Sequence, residues 1–259
     1  MSHLQERDAT IKQWIYEAAD KIKEYMKNDL KIEEKTNPQD LVTNVDKAIE
    51  QFLVDKIHTH YPEEEIISEE GYGDSLEDLK GVVWFIDPID GTTNFITQQE
   101  NFAIMIAVYQ DGVGQLGYVY DVMKDVLYSG IKGKGAYAGD RKLEIAEDLP
   151  LEKGIFSSST HLMTREKYKT IREIANETLG VRMLGSAGLE ICQVVTGKSL
   201  VYMASVLSPW DIAPGQVIAK EVGILCTNFE GEPLNLLSSN QAVFSIPNVH
   251  RQIIDKINK

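Results

Sequence analysis

Two carboxylates, Asp87 and Asp90, stand three positions apart in the stretch WFIDPIDGTTNF, residues 84–95, just past the apolar run of residues 82–86. Pro88 between them fixes its own φ and biases Asp87 toward extended backbone. The turn is therefore stiff, and both carboxylates can converge with the Ile89 carbonyl. That set of oxygens suits a hard cation such as Mg²⁺. Two acids this close repel, and burying them is costly unless a cation or a proton intervenes. Taken singly, Asp87 as a strand end and Asp90 as the start of an Asp-Gly turn are ordinary loop chemistry. The residues after Asp90 favour the metal. Gly91, Thr92 and Thr93 can present successive backbone N–H groups at the start of a short helix, where phosphate binds. The Thr92 hydroxyl can orient a water. A carboxylate nest beside a phosphate nest is what metal-assisted hydrolysis of a phosphate ester requires.

These residues need a frame, and 259 residues with 43% apolar side chains can build one large α/β domain, or two halves packed as one body. The balance of 26 Lys+Arg against 40 Asp+Glu gives a net charge of −14. Such a field repels nucleic acid and anionic membrane, so an anionic substrate needs a local cation. Cys192 and Cys226 are too few for a disulfide framework and lack metal-ligand spacing, and they read as reduced packing residues. No apolar run is long enough for a membrane span, and MSHLQERDATIKQW has no apolar signal core. The expectation is a cytoplasmic protein.

The elements follow from periodicity. Ile11, Trp14, Ile15, Ala18, Ala19, Ile22, Tyr25 and Met26 form one helical stripe, ending near Asn28. The segment KIEEKTNPQD, residues 31–40, reads as an exposed, mobile loop. A second helix starts at Thr43 with Asp46 placed for a capping box and buries Val45, Ile49, Phe52, Leu53 and Ile57. A short strand at 65–68 delivers Glu69 and Glu70, and residues 82–86 read as a central strand buried on both faces. Residues 102–109, 113–120 and 125–129 suggest an antiparallel meander, with a Gly-rich hairpin at 130–143. Then come strand-like IFSSS, helices over about 164–179 and 186–196, strand-like LVYMAS, the turn LSPWD and a helix over about 211–222. Strands near Ile224 and Ala242 close the chain. The order implies layered sheets and helices with a soft division near residue 150, into halves 1–150 and 151–259.

With these pieces in order, the chain resembles the inositol monophosphatase family of Mg²⁺-dependent, often lithium-sensitive phosphatases over nearly its whole length. The motifs are Lys35, DLVTNVD ending at Asp46, Glu69-Glu70, WFIDPIDGTTNF, GSAG at 185–188 and PWDIAPG at 209–215. The resemblance implies an αβαβα sandwich that forms a homodimer and hydrolyses small phosphate monoesters. It implies one Mg²⁺ on Glu69, Asp87 and the Ile89 carbonyl, a second on Asp87, Asp90 and Asp211, and a weaker third sharing Glu69, with Li⁺ as inhibitor. Glu69, Asp90, Gly91, Thr92, Thr93 and Asp211 would also border the substrate.

Each role has a plainer alternative. Glu69 and Glu70 could be a solvated pair, and Glu70 is expected to point away if Glu69 points in. Asp211 sits where a helix N-cap belongs. Asp46 is either a cap or, with Thr92, a water-orienting relay. Lys35 is a solvated loop lysine or a group that helps close the site or neutralise phosphate. Ser186, Ala187 and Gly188 border the alcohol or simply start a helix. The family's inositol-acting members usually carry a Glu where this chain has Ala204, so a broader range is expected, with NADP(H) and fructose 1,6-bisphosphate as the leading additions.

Overall fold

The computed structural model describes residues 3–27, 31–34, 41–144 and 147–259. In chain order its elements are α1 (His3–Tyr25), β1 (Ile32–Glu34), β2 (Leu41–Thr43), α2 (Asn44–His60), β3 (Glu65–Ser68), β4 (Val82–Asp90) and α3 (Thr92–Thr97). The meander follows as β5 (Ala103–Gln110), β6 (Val113–Asp121), β7 (Val126–Ile131), β8 (Gly135–Ala138) and β9 (Arg141–Lys142). The rest comprises β10 (Ile155–Ser158), α4 (Thr160–Thr164), α5 (Lys169–Ala175), β11 (Gly180–Arg182), α6 (Ala187–Val195), β12 (Val201–Leu207), α7 (Pro209–Glu221), β13 (Leu225–Thr227), β14 (Asn240–Ser245) and α8 (Pro247–Ile257).

Strands β3 to β9 form a seven-stranded sheet in sequence order, and the second sheet has five strands ordered β11-β10-β12-β14-β13. Helices α1 and α2 cover one face of the first sheet, α6 and α7 lie between the sheets, and α4, α5 and α8 cover the second. This is the αβαβα sandwich. The alternation along β4 shows why its sequence is apolar throughout. Trp84 and Ile86 join the core under α1 and α2, while Val83 and Phe85 join the core around α6, α7 and the second sheet. Helix α7 lies against the bare backbone of β6 and β7. A Cβ on Gly117 would meet the Pro214 carbonyl oxygen at 2.4 Å, and one on Gly130 would meet Ile218 Cα at 2.7 Å. That close seating brings the start of α7 toward the end of β4.

Several expectations change. Strand β4 is second in its sheet rather than central, between parallel β3 and antiparallel β5. It continues to Asp90, with its register broken between Asp87 and Asp90. Residues 32–34, expected in a loop, pair with residues 41–43 as an antiparallel ladder. Residues 35–40, with Lys35, lie outside the described residues. The helix expected over 164–179 is broken. Leu162 and Tyr168 are both buried, and a spacing of six would put them on different sides of one straight helix, so Arg165 turns extended between α4 and a short 3₁₀ turn. Beyond α5 the chain joins the sheet as β11, parallel to β10. Helix α8 was not expected; Pro247 starts it and Val249 and Ile253 bury its face.

Candidate active site

The register break in β4 turns Asp87 and Asp90 toward one place. The Ile89 N–H donates to Asp87 Oδ1 at 3.0 Å, closing a local turn around Pro88. Asp90 is held from the opposite side by the start of α6. Ser186 Oγ donates to its Oδ2 at 2.5 Å, Gly188 N to the same oxygen at 2.8 Å, and Ala187 N to Oδ1 at 2.9 Å. Helix α6 thus aims unpaired N–H groups and its positive end at Asp90. Asp211 comes from α7. It is the third residue of that helix rather than its N-cap, which is Ser208, and its Oδ2 accepts the Ser208 N–H at 2.7 Å. The plainer reading of Asp211 as the N-cap is corrected: Ser208, three residues earlier, is the cap, and Asp211 completes the capping box with it.

Asp87, Asp90 and Asp211 each offer an oxygen within 4.8 Å of the others. At that separation each ionised pair repels by about 3 kcal/mol at an effective dielectric near 20. Asp87 is 1% exposed and Asp90 5%, and among the described residues neither pairs with Lys or Arg. Burial pushes the Asp87 carboxyl well above the ordinary range, and the charges of Glu69, Asp90 and Asp211 push it further. Burial raises Asp90 to about 6 against the hydrogen bonds from Ser186, Gly188 and Ala187. Glu69, half-buried just beyond β3, is in hydrogen-bond contact with the Asp87 carboxyl. Two carboxyls make that contact only with a proton or a cation between them. Hard oxygen donors, burial and uncompensated negative charge together fit a divalent cation.

A second buried acid holds this corner. Glu50 on α2 accepts from Ser68 Oγ at 2.7 Å, the Glu70 N–H at 2.7 Å and the Tyr72 N–H at 3.0 Å. Glu50 therefore fixes the segment carrying Glu69. Sequence reading missed it, although an acid among the apolar positions of α2 is its trace. Burial raises its pKa.

Asp46 caps α2 and also reaches Thr92. Its Oδ2 accepts the Thr43 N–H at 2.9 Å and the Thr43 hydroxyl at 2.5 Å, completing the capping box. Its Oδ1 accepts from Thr92 Oγ1 at 3.0 Å. Thr92 Oγ1 also lies 3.1 Å from the Ile89 carbonyl, but one hydroxyl proton serves one acceptor, and the carboxylate is the stronger. Burial raises Asp46 against the bonds from Thr43 and Thr92. Between β4 and α3, Gly91 takes φ +93° with Asn101 O and Ser186 Cβ both 3.2 Å from where a Cβ would be. Only glycine fits there. The Asn94 amide donates to Leu184 O at 2.7 Å and Asn101 O at 2.9 Å, tying α3 to the segment before α6.

A cleft of about 630 Å³ opens from Asp90 and Asp211. Ser186 and Ala187 line its inner end, whereas Gly188 sits behind Asp90 against Met105. Ala204 is fully buried, and the neighbouring wall comes from Tyr202, Ser205, Val206 and Leu207. Glu190, another residue that sequence reading missed, lines the cleft at 1% exposure. Its Oε1 accepts the Leu184 N–H at 2.5 Å, and among the described residues its Oε2 has no partner within hydrogen-bond geometry. Burial raises it to about 7.

Comparison with known proteins agrees with this geometry. The family model described as "Inositol monophosphatase family" matches residues 3–259. The inositol-1-monophosphatase of Bacillus subtilis (strain 168) is 39% identical over 259 residues, covering 99% of this chain and 98% of that one. Staphylococcal inositol monophosphatase-1, solved as an inhibitory complex soaked in 100 mM LiCl, superposes with a TM-score of 0.93 at 29% identity, over 100% of this chain and 96% of that one. An IMPase/NADP phosphatase solved with Mg²⁺ and phosphate gives 0.91 at 29% identity, over 98% and 96%. With the full-length match and the carboxylates of β4 and α7 gathered at one cleft, this chain belongs to the inositol monophosphatase family and is a phosphatase.

Proposed function

We propose that the protein hydrolyses inositol 1-phosphate to inositol and phosphate with Mg²⁺, and accepts further small phosphate monoesters. The observation that carries this is the convergence of Asp87, Asp90 and Asp211 in a buried site beside Thr92. Glu69, Asp87, the Ile89 carbonyl, Asp90 and Asp211 are the groups that would hold two to three Mg²⁺ ions. When bound, Mg²⁺ supplies Lewis acidity toward the ester oxygens and lowers the pKa of water.

The chain's own residues do the positioning. Because the Thr92 proton is given to Asp46, the lone pairs of Thr92 Oγ1 are left to accept from a water and aim it at phosphorus. The N–H groups of Gly91, Thr92 and Thr93 receive phosphate oxygens. Ser186 and Ala187 border the alcohol, and Gly188 acts through Asp90. Ala204 in place of an acidic hydroxyl acceptor supports a broader range, to which the likeness to an IMPase/NADP phosphatase adds NADP(H). Lys35 is assigned to closing the site over phosphate. The acidic field and homodimeric, cytoplasmic character complete the reading, with no nucleic-acid or membrane partner.

The test is phosphate release over a panel of monoesters with Mg²⁺, repeated with Li⁺. Mg²⁺-dependent turnover of inositol 1-phosphate that Li⁺ suppresses is expected. No turnover of any ester would remove the reading.

A further inference from the structure

One buried hydroxyl of the cleft is unused by the protein. Tyr202, on β12, lines the cleft at 3% exposure, and among the described residues its Oη meets no hydrogen-bond partner. Two other buried hydroxyls there are spent: Ser186 donates to Asp90 Oδ2 at 2.5 Å and Ser158 to the Ser159 carbonyl at 3.0 Å. A buried donor left unpaired costs free energy that an acceptor on a ligand recovers. We propose that the Tyr202 hydroxyl donates to a hydroxyl oxygen of the substrate's alcohol, and is the group by which the cleft tells polyol phosphates from phosphates of plain alcohols. This rests on the phosphatase reading of the same cleft.

The ring is held and only its end faces the site. Tyr202 stands between Ser157 of β10 and Phe244 of β14, both fully buried, so the phenol has little freedom to turn elsewhere. Burial pushes its hydroxyl well above the ordinary phenol range, and the charges of Glu190, Asp90 and Asp211 push it further, so it keeps its proton and serves as a donor. Those same three charges place it toward the carboxylate end of the cleft, where the ester must sit. On that inner wall Glu190 Oε2 is an acceptor that is also unused among the described residues. An alcohol hydroxyl both donates and accepts, so a spare donor and a spare acceptor on one wall suit it. They suit a phosphate oxygen less, because it only accepts and an ionised Glu190 would repel it. Tyr202 and Ala204 lie two residues apart on one face of β12. Ala204 brings no polar group to that face, and Tyr202 supplies one.

The experiment measures kcat and KM with saturating Mg²⁺ for inositol 1-phosphate and for cyclohexyl phosphate, the same ring without hydroxyls, in the native chain and in Tyr202→Phe. Where cyclohexyl phosphate turns over too slowly, its inhibition constant against inositol 1-phosphate takes the place of its KM. Phenylalanine keeps the ring and removes only the hydroxyl. The expected result is that the preference for inositol 1-phosphate over cyclohexyl phosphate falls about tenfold to a hundredfold, mostly through KM. The unfolding temperature without substrate should not fall, since the hydroxyl bonds to nothing in the protein. A preference that the variant leaves unchanged, whether both esters lose equally or neither does, would overturn the proposal and leave the phosphatase reading standing. A lower unfolding temperature in Tyr202→Phe would show the hydroxyl bonded within the protein and would overturn it likewise. A native chain that hydrolyses cyclohexyl phosphate alone, or neither ester, would overturn both readings.

Discussion

Thr92 Oγ1 donates to Asp46 Oδ1 at 3.0 Å, joining the residue after the β4 turn to the capping box of α2. One carboxylate caps a helix with one oxygen and fixes the direction of a hydroxyl with the other. Thr92→Ser should keep most activity, and Thr92→Val should lower kcat by about 10²–10⁴ with little change in unfolding temperature. In Asp46→Asn the amide group would donate to Thr92 and turn its proton toward the water. A fall in kcat similar to that of Thr92→Val is expected, read by steady-state kinetics beside thermal unfolding.

Gly188 sets the position of Asp90. A Cβ there would stand 2.6 Å from Met105 Sδ and 3.0 Å from Asp90 Oδ2. Gly188→Ala should cost about 1–3 kcal/mol of stability and raise the Mg²⁺ concentration for half-maximal activity by about 10–100-fold. A Mg²⁺ titration of activity checks this, and an unchanged midpoint would separate α6 from the metal site.

Metal and protons compete for the buried carboxylates. Asp90 is raised from 3.8 to about 6, so without metal it takes up a proton on folding. The associated stability is full below 3.8 and is lost as pH rises through 6. On the proposed assignment Mg²⁺ would replace that proton. Saturating Mg²⁺ should therefore raise the unfolding temperature more at pH 8 than at pH 5, the stabilisation at pH 8 being about 2.7 kcal/mol at a hundred times the Kd that holds there. Calorimetric scans with EDTA and with Mg²⁺ at both pH values measure the difference.

Glu190 gives a separate pH dependence. Its pKa rises from 4.5 to about 7, so its contribution is full below 4.5 and is lost as pH climbs through 7. The shift corresponds to about 3 kcal/mol at most. Glu190→Gln, which keeps an oxygen for the Leu184 N–H, should flatten the stability profile between these values. Denaturant unfolding at saturating Mg²⁺ reads the slope for both proteins.

The motif around Asp87 and Asp90 was legible because its chemistry is local: a proline, two acids and a glycine within a few residues. The apolar run before it showed burial on both faces, since both periodic sets of β4 are apolar. What escaped were features that depend on distant neighbours. Glu50 and Glu190 look like helix-surface acids until the backbone N–H groups they accept from are seen. The break at Arg165 follows from burying both Leu162 and Tyr168, and β11 exists because β10 lies beside it. Helix α8 had its signal in Pro247, Val249 and Ile253, a short stripe after a strand.

The most direct measurement is phosphate release from inositol 1-phosphate across a Mg²⁺ titration, for the native chain and for Asp87→Asn. The native protein should show saturable dependence on Mg²⁺ and no turnover in EDTA. Asp87→Asn should fold and lose at least about 10³-fold in kcat/KM, near 4 kcal/mol of transition-state stabilisation. Turnover independent of Mg²⁺, or a folded Asp87→Asn with native kcat/KM, would contradict the assignment of these carboxylates to a catalytic metal.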